Sequence, residues 1–190
     1  MLDDLIKKNR SYRRFSPVNV DCKMINKILE ILRFIPSAKN AQPLKYIASC
    51  NAQKNDQIFS TLKWAGYLTD WDGPKEGERP SAYIIILQDK NISNDHYVLT
   101  DAGIALQTIL LKSVEMGLGG CTIAAIDKSK LASILNIGEN LEILYVAAIG
   151  KPAETIEIID VKDDIKYYRK NDIHYVPKRS LSELIYSVIE

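Results

Sequence analysis

The feature that most constrains the fold is the run Ala82-Tyr83-Ile84-Ile85-Ile86-Leu87. A continuous apolar stretch rich in isoleucine suits a strand with no polar face, so both of its faces must be covered. The helices to cover them are legible nearby. Asp21 can cap a helix in which Met24, Ile25, Ile28, Leu29, Ile31, Leu32 and Ile35 recur at helical spacing until Pro36 stops it. A short helix is expected over 2–9, another over 53–62, a long one over 95–116, and one capped by Asp127 that ends near Gly138. Strands are expected at 46–49 and 144–150, and Ser180-Leu181-Ser182-Glu183 is a capping-box pattern that opens a final amphipathic helix. The fold class is therefore α+β, a sandwich with helices on both faces of a sheet.

A chain of 190 residues suits a single domain with a sizeable core. Its net charge of +1 supplies no global field for nucleic acid or an anionic membrane. The three cysteines, Cys22, Cys50 and Cys121, are an odd count without C-x-x-C spacing, which reads as reduced thiols in a cytoplasmic protein and gives no metal site. The acidic start Met1-Leu2-Asp3-Asp4 does not read as a signal peptide. The most apolar long stretch, 102–118, is interrupted by Gln107, Lys112 and Glu115, so it reads as a buried helix and not as a span of ~20 apolar residues.

Three local features point to chemistry. Arg10-Ser11-Tyr12-Arg13-Arg14-Phe15 gathers guanidiniums and a hydroxyl that suit a phosphate, although taken alone it reads more readily as a solvated basic face. Val176-Pro177-Lys178-Arg179-Ser180 puts two cations before a capped helix start, where unpaired N–H groups favour an anion; alone it is ordinary surface sequence. Gly117-Leu118-Gly119-Gly120-Cys121-Thr122 follows the long helix. Its glycines either let backbone amides approach a flat ring or an anion, or simply close the helix. They match neither a dinucleotide fingerprint nor a Walker loop.

Taken in order, these pieces resemble the FMN-dependent nitroreductase family over nearly the whole chain. Arg10-Ser11-x-Arg13-x-Phe15 is similar to its N-terminal motif, and Pro36-Ser37-Ala38-x-Asn40-x-Gln42-Pro43 to its Pro-Ser-x-x-Asn-x-Gln-Pro loop. Asp101-Ala102-Gly103-Ile104-Ala105-Leu106-Gln107 and the glycine segment resemble its central helix and the turn after it. Ile149-Gly150-Lys151-Pro152 and Val176-Pro177-Lys178-Arg179 resemble its late strand and tail.

The resemblance implies a three-layer α-β-α sandwich with a mixed central sheet, one domain over 1–190, in an intertwined homodimer with FMN at the interface. It implies that Arg10 and Ser11, helped by Lys178 or Arg179, bind the FMN phosphate. Arg13 would stand near the ribityl chain and the N1/O2 edge, giving electrostatic support to the reduced ring. Pro36, Ser37, Ala38, Asn40 and Gln42 would reach the flavin of the other subunit, with Gln107 also in the cofactor site and amides near Gly119 and Gly120 facing N5. The implied reaction is a two-step hydride exchange in which NADH or NADPH donates and a nitroaromatic, quinone or related small acceptor receives. A dehalogenase, a flavin-degrading enzyme or a non-catalytic FMN sensor of the same fold are the other readings. No acid or base side chain is demanded, because the flavin carries the chemistry.

The sequence departs from the family where an Asn and a Lys commonly precede the central strand. Here that stretch is the loop 63–80, with Trp64, Tyr67 and Trp71 but no evident counterparts. Those aromatics read either as a cover for the site or as core. His96 is expected near a helix start, His174 as structural or exposed, and Cys121 as a small buried thiol.

Overall fold

The computed structural model describes residues 1–190. A central sheet is built from β1 (Phe15–Ser16), β2 (Leu44–Ser49), β3 (Ala82–Asp89), β4 (Gly119–Ile123) and β5 (Leu141–Pro152). Its strand order is β1-β5-β3-β2, with β4 also paired to β5. As the apolar run demands, residues 82–88 of β3 are buried. Alternation then assigns its side chains to two cores. Ala82, Ile84 and Ile86 face one cluster, with α2 (Cys22–Glu30) and the long α4 (Val98–Glu115). Tyr83, Ile85 and Leu87 face the other, with α3 (Ala52–Phe59) and α5 (Lys128–Leu135). The three layers follow directly from one two-sided strand.

Helix boundaries follow their caps. The side chain of Asp21 accepts from the Lys23 amide and that of Asp127 from the Lys130 amide, each satisfying a first-turn donor. α2 tightens into a 3-10 turn, Ile31–Phe34, before Pro36 forbids continuation. α1 (Leu2–Lys8) packs on α4.

Three expectations need correction. Every ladder of the central sheet is antiparallel, so the expected mixture of directions is absent from it. The reason is topological: β5 runs opposite to all three strands it pairs with, β1, β3 and β4, and the one parallel link at this sheet is an isolated bridge between Ser11 and Gly120. The parallel ladder lies instead in a second sheet, β6 (Thr155–Asp160), β7 (Tyr168–Lys170) and β8 (Ile173–Lys178), where β6 and β8 pair in parallel. The final helix α6 (Leu181–Leu184) has its capping box but only four residues. Finally, Cys22 and Cys50 are not free thiols but a disulfide, with Cα atoms 5.8 Å apart. The start of α2 and the end of β2 meet only through folding, so the separation of 28 residues hid the pair. Cys121 alone is free; it is buried, and desolvation pushes its thiol up to about 12.

No helix is long and apolar enough to cross a membrane.

Candidate functional site

A cleft of about 310 Å³ lies between the segment after α1 and the second sheet. One wall is Asn9, Arg10, Ser11 and Arg13; the other is Ile156, Tyr167 and the alternating residues His174, Val176 and Lys178 of β8. Strand parity explains that alternation, because every second side chain points to the same side. Three cations and no carboxylate form the lining. The arginine segment is held by its backbone. Tyr12 donates its amide to the Gly120 carbonyl at 3.0 Å, and the buried Glu154 carboxylate accepts the amides of Arg13 and Arg14. Glu154 also pairs with Arg169 at 2.8 Å, so this acid serves as a fixed anchor behind the cleft. Arg13 lies with its guanidinium 4.8 Å from the centre of the Tyr167 ring and its Nη1 3.4 Å from His174 Nε2. Arg10 Nη2 donates to the Ile6 carbonyl at 2.9 Å, and its buried Nε has no partner. Arg14 turns away, towards Glu78 and Asp172.

His174 is 1% exposed. Burial, then the charges of Arg13 and Arg169, lower its pKa to about 4 against the opposing pull of Glu154. The imidazole is therefore neutral at neutral pH.

A second cleft, about 350 Å³, is formed by the end of α2, the loop 36–42 and β2. Pro36, Ser37, Gln42, Tyr46 and Asp101 are among its lining residues. The loop is unusual: Lys39, Asn40 and Gln42 all have φ near the left-handed region, at 54°, 52° and 52°. For side-chain-bearing residues that conformation costs energy and must be imposed by surroundings. Asp101 imposes it. From α4, its buried carboxylate accepts from Ser37 Oγ at 2.5 Å and from the Ala38 amide at 2.9 Å. Ser37 Oγ in turn accepts the Gln42 amide at 2.9 Å, closing the loop. Tyr46 beside it has its phenol pushed up to about 12 by burial and then by Asp101.

The sequence model of a known family, the Nitroreductase family, matches residues 6–151, which include the second cleft and the Asn9–Arg13 wall of the first. The chain belongs to the nitroreductase family. Among curated relatives, a protein of Archaeoglobus fulgidus provisionally named NADH dehydrogenase/NAD(P)H nitroreductase is 24% identical over 174 residues, 88% of this chain and 90% of its own. Among solved structures, a provisionally named nitroreductase from Desulfovibrio desulfuricans in complex with FMN superposes with a TM-score of 0.74 at 20% identity, covering 100% of this chain and 97% of that one. An FMN-dependent nitroreductase from Clostridium difficile R20291 gives 0.63 at 23% identity, over 88% and 97%. These likenesses establish the nitroreductase fold for the α-β-α sandwich.

Within this nitroreductase-family chain, the structure brings Arg10, Ser11, Arg13 and Lys178 together in the first cleft. Arg179 is elsewhere, exposed and donating to Glu183 at 3.2 Å. The tail is not an anion-binding helix start, because Glu183 itself accepts the Ser180 amide and hydroxyl on a four-residue helix. Lys178 reaches the cleft as the last residue of a strand. Gly119 and Gly120 do not form the turn after the helix; Gly117, at φ 74°, closes α4. They are buried in β4 for close packing, since a Cβ on Gly119 would stand 2.6 Å from the Tyr12 ring and one on Gly120 2.3 Å from the Ala148 carbonyl oxygen.

Pro36, Ser37 and Gln42 line the second cleft; Ala38 is held by Asp101 there, and Asn40 accepts from the Gln42 side chain. Within one chain the two clefts share no lining residue. Both are tied to α4, where Asp101 holds the loop and Gln107 accepts from Asn9 at 3.4 Å. Those two positions are about 9 Å apart along the helix and about 120° apart around it. The loop 63–80 meets the second sheet and the residue before it: the Arg169 guanidinium lies 4.2 Å from the centre of the Trp71 ring, and Tyr67 packs at a tilt against Tyr167, 5.0 Å between centroids. Trp64 is core, whereas Tyr67 is exposed. His96 is exposed just before α4, against Asp95.

Sequence reasoning did not single out Asp101, Tyr167 and His174, which line the clefts, or Glu154, which anchors the arginine segment. The signal for Asp101 was an acid in the first turn of the long helix, set among the apolar residues Val98, Leu99, Ala102 and Ala105. The alternation of Thr155-Ile156-Glu157-Ile158 was the signal for the second sheet that carries the cleft wall.

Proposed function

We propose that this chain is an FMN-dependent NAD(P)H oxidoreductase that reduces nitroaromatics, quinones or a related small acceptor. The observation that carries the reading is the first cleft, with Arg10, Arg13 and Lys178 converging and no acid in its wall. Its donor set fits a phosphate, because guanidinium and ammonium groups offer only donors to an acceptor-only group. The unpartnered buried Arg10 Nε points the same way. When bound, the flavin supplies the two-electron chemistry, taken from the nicotinamide in one half-reaction and passed to the acceptor in the next. In this reading Arg10, Ser11 and Lys178 hold the phosphate, and Arg13, steadied by Tyr167 and His174, presents positive charge towards the polar end of the cofactor. Glu154 fixes the backbone of Arg13 and Arg14, so the cation positions exist before the ligand arrives. A demand for reduced nicotinamide favours the cytoplasm for this single domain over 1–190, against the Cys22–Cys50 disulfide, a bond uncommon there.

The partner is a second copy of the chain. Phe34, Leu181, Leu184, Ile185, Tyr186 and Ile189 are large exposed apolar side chains, and Ile104, Leu110, Leu111 and Val114 leave α4 only half-covered. That extent of apolar surface supports an interface in which the loop 36–42 of one copy completes the cleft of the other. This arrangement also gives a reason for two separate clefts in one chain.

The test is the visible spectrum of the purified protein before and after anaerobic NADH or NADPH, with sedimentation to measure mass. A flavin spectrum bleached by nicotinamide supports the proposal. Protein that remains colourless after FMN is added refutes it, and bound flavin that nicotinamide cannot bleach assigns a sensor or a different donor. A monomer in sedimentation refutes the shared site.

A further inference from the structure

We propose that the Cys22–Cys50 disulfide is a redox switch, operated by exchange with a small thiol, that governs the second cleft and the loop 36–42. The consequence for FMN rests on the flavin reading above; the switching of the loop does not.

The bond occupies a particular place in the chain. Cys22 is the first residue of α2, and Cys50 follows the last residue of β2. α2 with its 3-10 turn forms one leg of a hairpin and β2 the other, and the loop 36–42 lies at the tip that joins them. The disulfide therefore closes a covalent ring at the base of that hairpin. Near the tip the second cleft separates the legs, with Leu29 and Leu32 on one side and Leu44 and Tyr46 on the other. Each leg packs on α4. The base clamp is the one covalent constraint on their spacing besides the loop itself.

Both sulfurs lie within reach of a reductant. Cys22 is exposed, and half-buried Cys50 lines an open cleft of about 480 Å³ with Ser16, Asn19 and Arg79. Accessible disulfides are the labile ones, whereas structural bonds resist reduction. A protein that works with reduced nicotinamide shares its compartment with reduced thiols, and the disulfides found there are mostly transient or redox-sensing.

Reduction takes two thiols. The first, as thiolate, attacks Cys22 Sγ, the more exposed sulfur; the Cys22–Cys50 bond breaks, and Cys50 leaves as a thiolate and is protonated. A second thiolate then attacks the reductant's sulfur in the mixed disulfide, which releases Cys22 to be protonated in turn. Two electrons and two protons pass to the cysteine pair, and the reductant ends as its own disulfide. With the clamp open, the legs separate more readily, and the Asp101 bonds to Ser37 and the Ala38 amide break more often. In the flavin reading this loosens the segment that reaches the partner's flavin, so the reduced protein holds FMN more weakly.

The experiment equilibrates the folded protein in reduced and oxidised glutathione at cytoplasmic ratios, then traps thiols with a maleimide. Cys22 and Cys50 should be alkylated in the native state while buried Cys121 is spared. A pair that stays oxidised until the protein unfolds overturns the switch. Amide hydrogen exchange gives the second readout and needs no flavin. On reduction the Ala38 and Gln42 amides, held by Asp101 and Ser37 Oγ, should exchange about fivefold faster or more, with the Leu141 amide of a remote turn within about twofold. Unchanged loop amides, or equal acceleration at Leu141, reduce the bond to a general stabiliser and overturn the proposal. FMN titration by fluorescence gives the third. Reduced wild type and Cys22→Ser/Cys50→Ser should bind FMN about fivefold more weakly or worse than oxidised protein, and the variant should ignore glutathione. By reciprocity, saturating FMN should raise the ratio of oxidised to reduced protein in a fixed glutathione buffer by the same factor. Equal FMN affinity in both redox states refutes the link to the cofactor. If neither state takes up FMN, the flavin reading falls, and alkylation with loop exchange still decides the switch.

Discussion

Replacing Asp101 tests whether the loop 36–42 is held under strain by a single buried acid. Lys39, Asn40 and Gln42 all stand in the left-handed region, at about 1–2 kcal/mol each, roughly 3–6 kcal/mol together. Against this, the Asp101 carboxylate receives two hydrogen bonds, from Ser37 Oγ and the Ala38 amide, each worth about 1.5–3 kcal/mol. The two sums are similar, so the loop keeps its shape only while Asp101 is present. In Asp101→Ala both bonds vanish, but part of the strain is recovered as the loop relaxes into water. The expected net loss is about 2–4 kcal/mol. Asp101→Asn retains an acceptor for the Ala38 amide, and should lose only about 1–2 kcal/mol. Urea unfolding at pH 7 would measure both, with Asp101→Ala moving the midpoint down by about 1–2 M at an m-value near 2 kcal/mol/M. Lys39→Gly supplies the internal control. Glycine relieves strain that exists only in the pinned loop, so the substitution should be more favourable by about 1 kcal/mol in the wild type than in the Asp101→Ala background. The reasoning is refuted if Asp101→Ala lies within about 0.5 kcal/mol of the wild type, or if the effect of Lys39→Gly is the same in both backgrounds.

Three further outcomes are expected. His174 is depressed to about 4 in the fold and titrates near 6.5 when unfolded, so the unfolded state binds the extra proton between those values. Its contribution to stability is complete above pH 6.5 and is lost as pH falls towards 4, with a slope of at most about 1.4 kcal/mol per pH unit. Denaturant titrations from pH 4 to 7 should show that slope flattened in His174→Gln. The Cys22–Cys50 bond closes a loop of 28 residues, for which chain entropy gives about 3–4 kcal/mol. Thiol titration of the denatured, unreduced protein should find one cysteine, and Cys22→Ser/Cys50→Ser should melt lower; three titratable thiols would refute the pairing. Gly120→Ala places a methyl group 2.3 Å from the Ala148 carbonyl oxygen in the paired strand. Because that neighbour is backbone, the cost should reach about 3 kcal/mol or more, read as a lowered melting temperature or insoluble expression.

Much of the architecture was legible from local pattern. The run in β3 required cover on both faces, helical periodicity supplied it, and Asp21, Asp127 and Ser180 marked helix starts where capping bonds are now seen. These features are decided within a few residues of chain, by sterics and by the demand of buried backbone for partners. The cationic cleft was legible in part, because two cationic motifs announced Arg10, Arg13 and Lys178.

What the sequence could not decide was which distant groups meet. Lys178 and Arg179 are adjacent and chemically alike, yet strand parity sends the first into the cleft and leaves the second to Glu183. Parity has no meaning until β8 is known to pair with β6, and that ladder joins residues about twenty apart. Gly119 and Gly120 looked like a turn after the helix, but they are buried in β4, where Tyr12 and Ala148 leave no room for side chains. Cys22 and Cys50 looked unpaired until α2 and β2 were set side by side. His174 seemed unremarkable in isolation; Arg13, 161 residues away, is the side chain its Nε2 meets. Periodicity and capping are properties of neighbours along the chain, whereas hydrogen-bond partners and cavities belong to neighbours in space, which only the completed fold assigns.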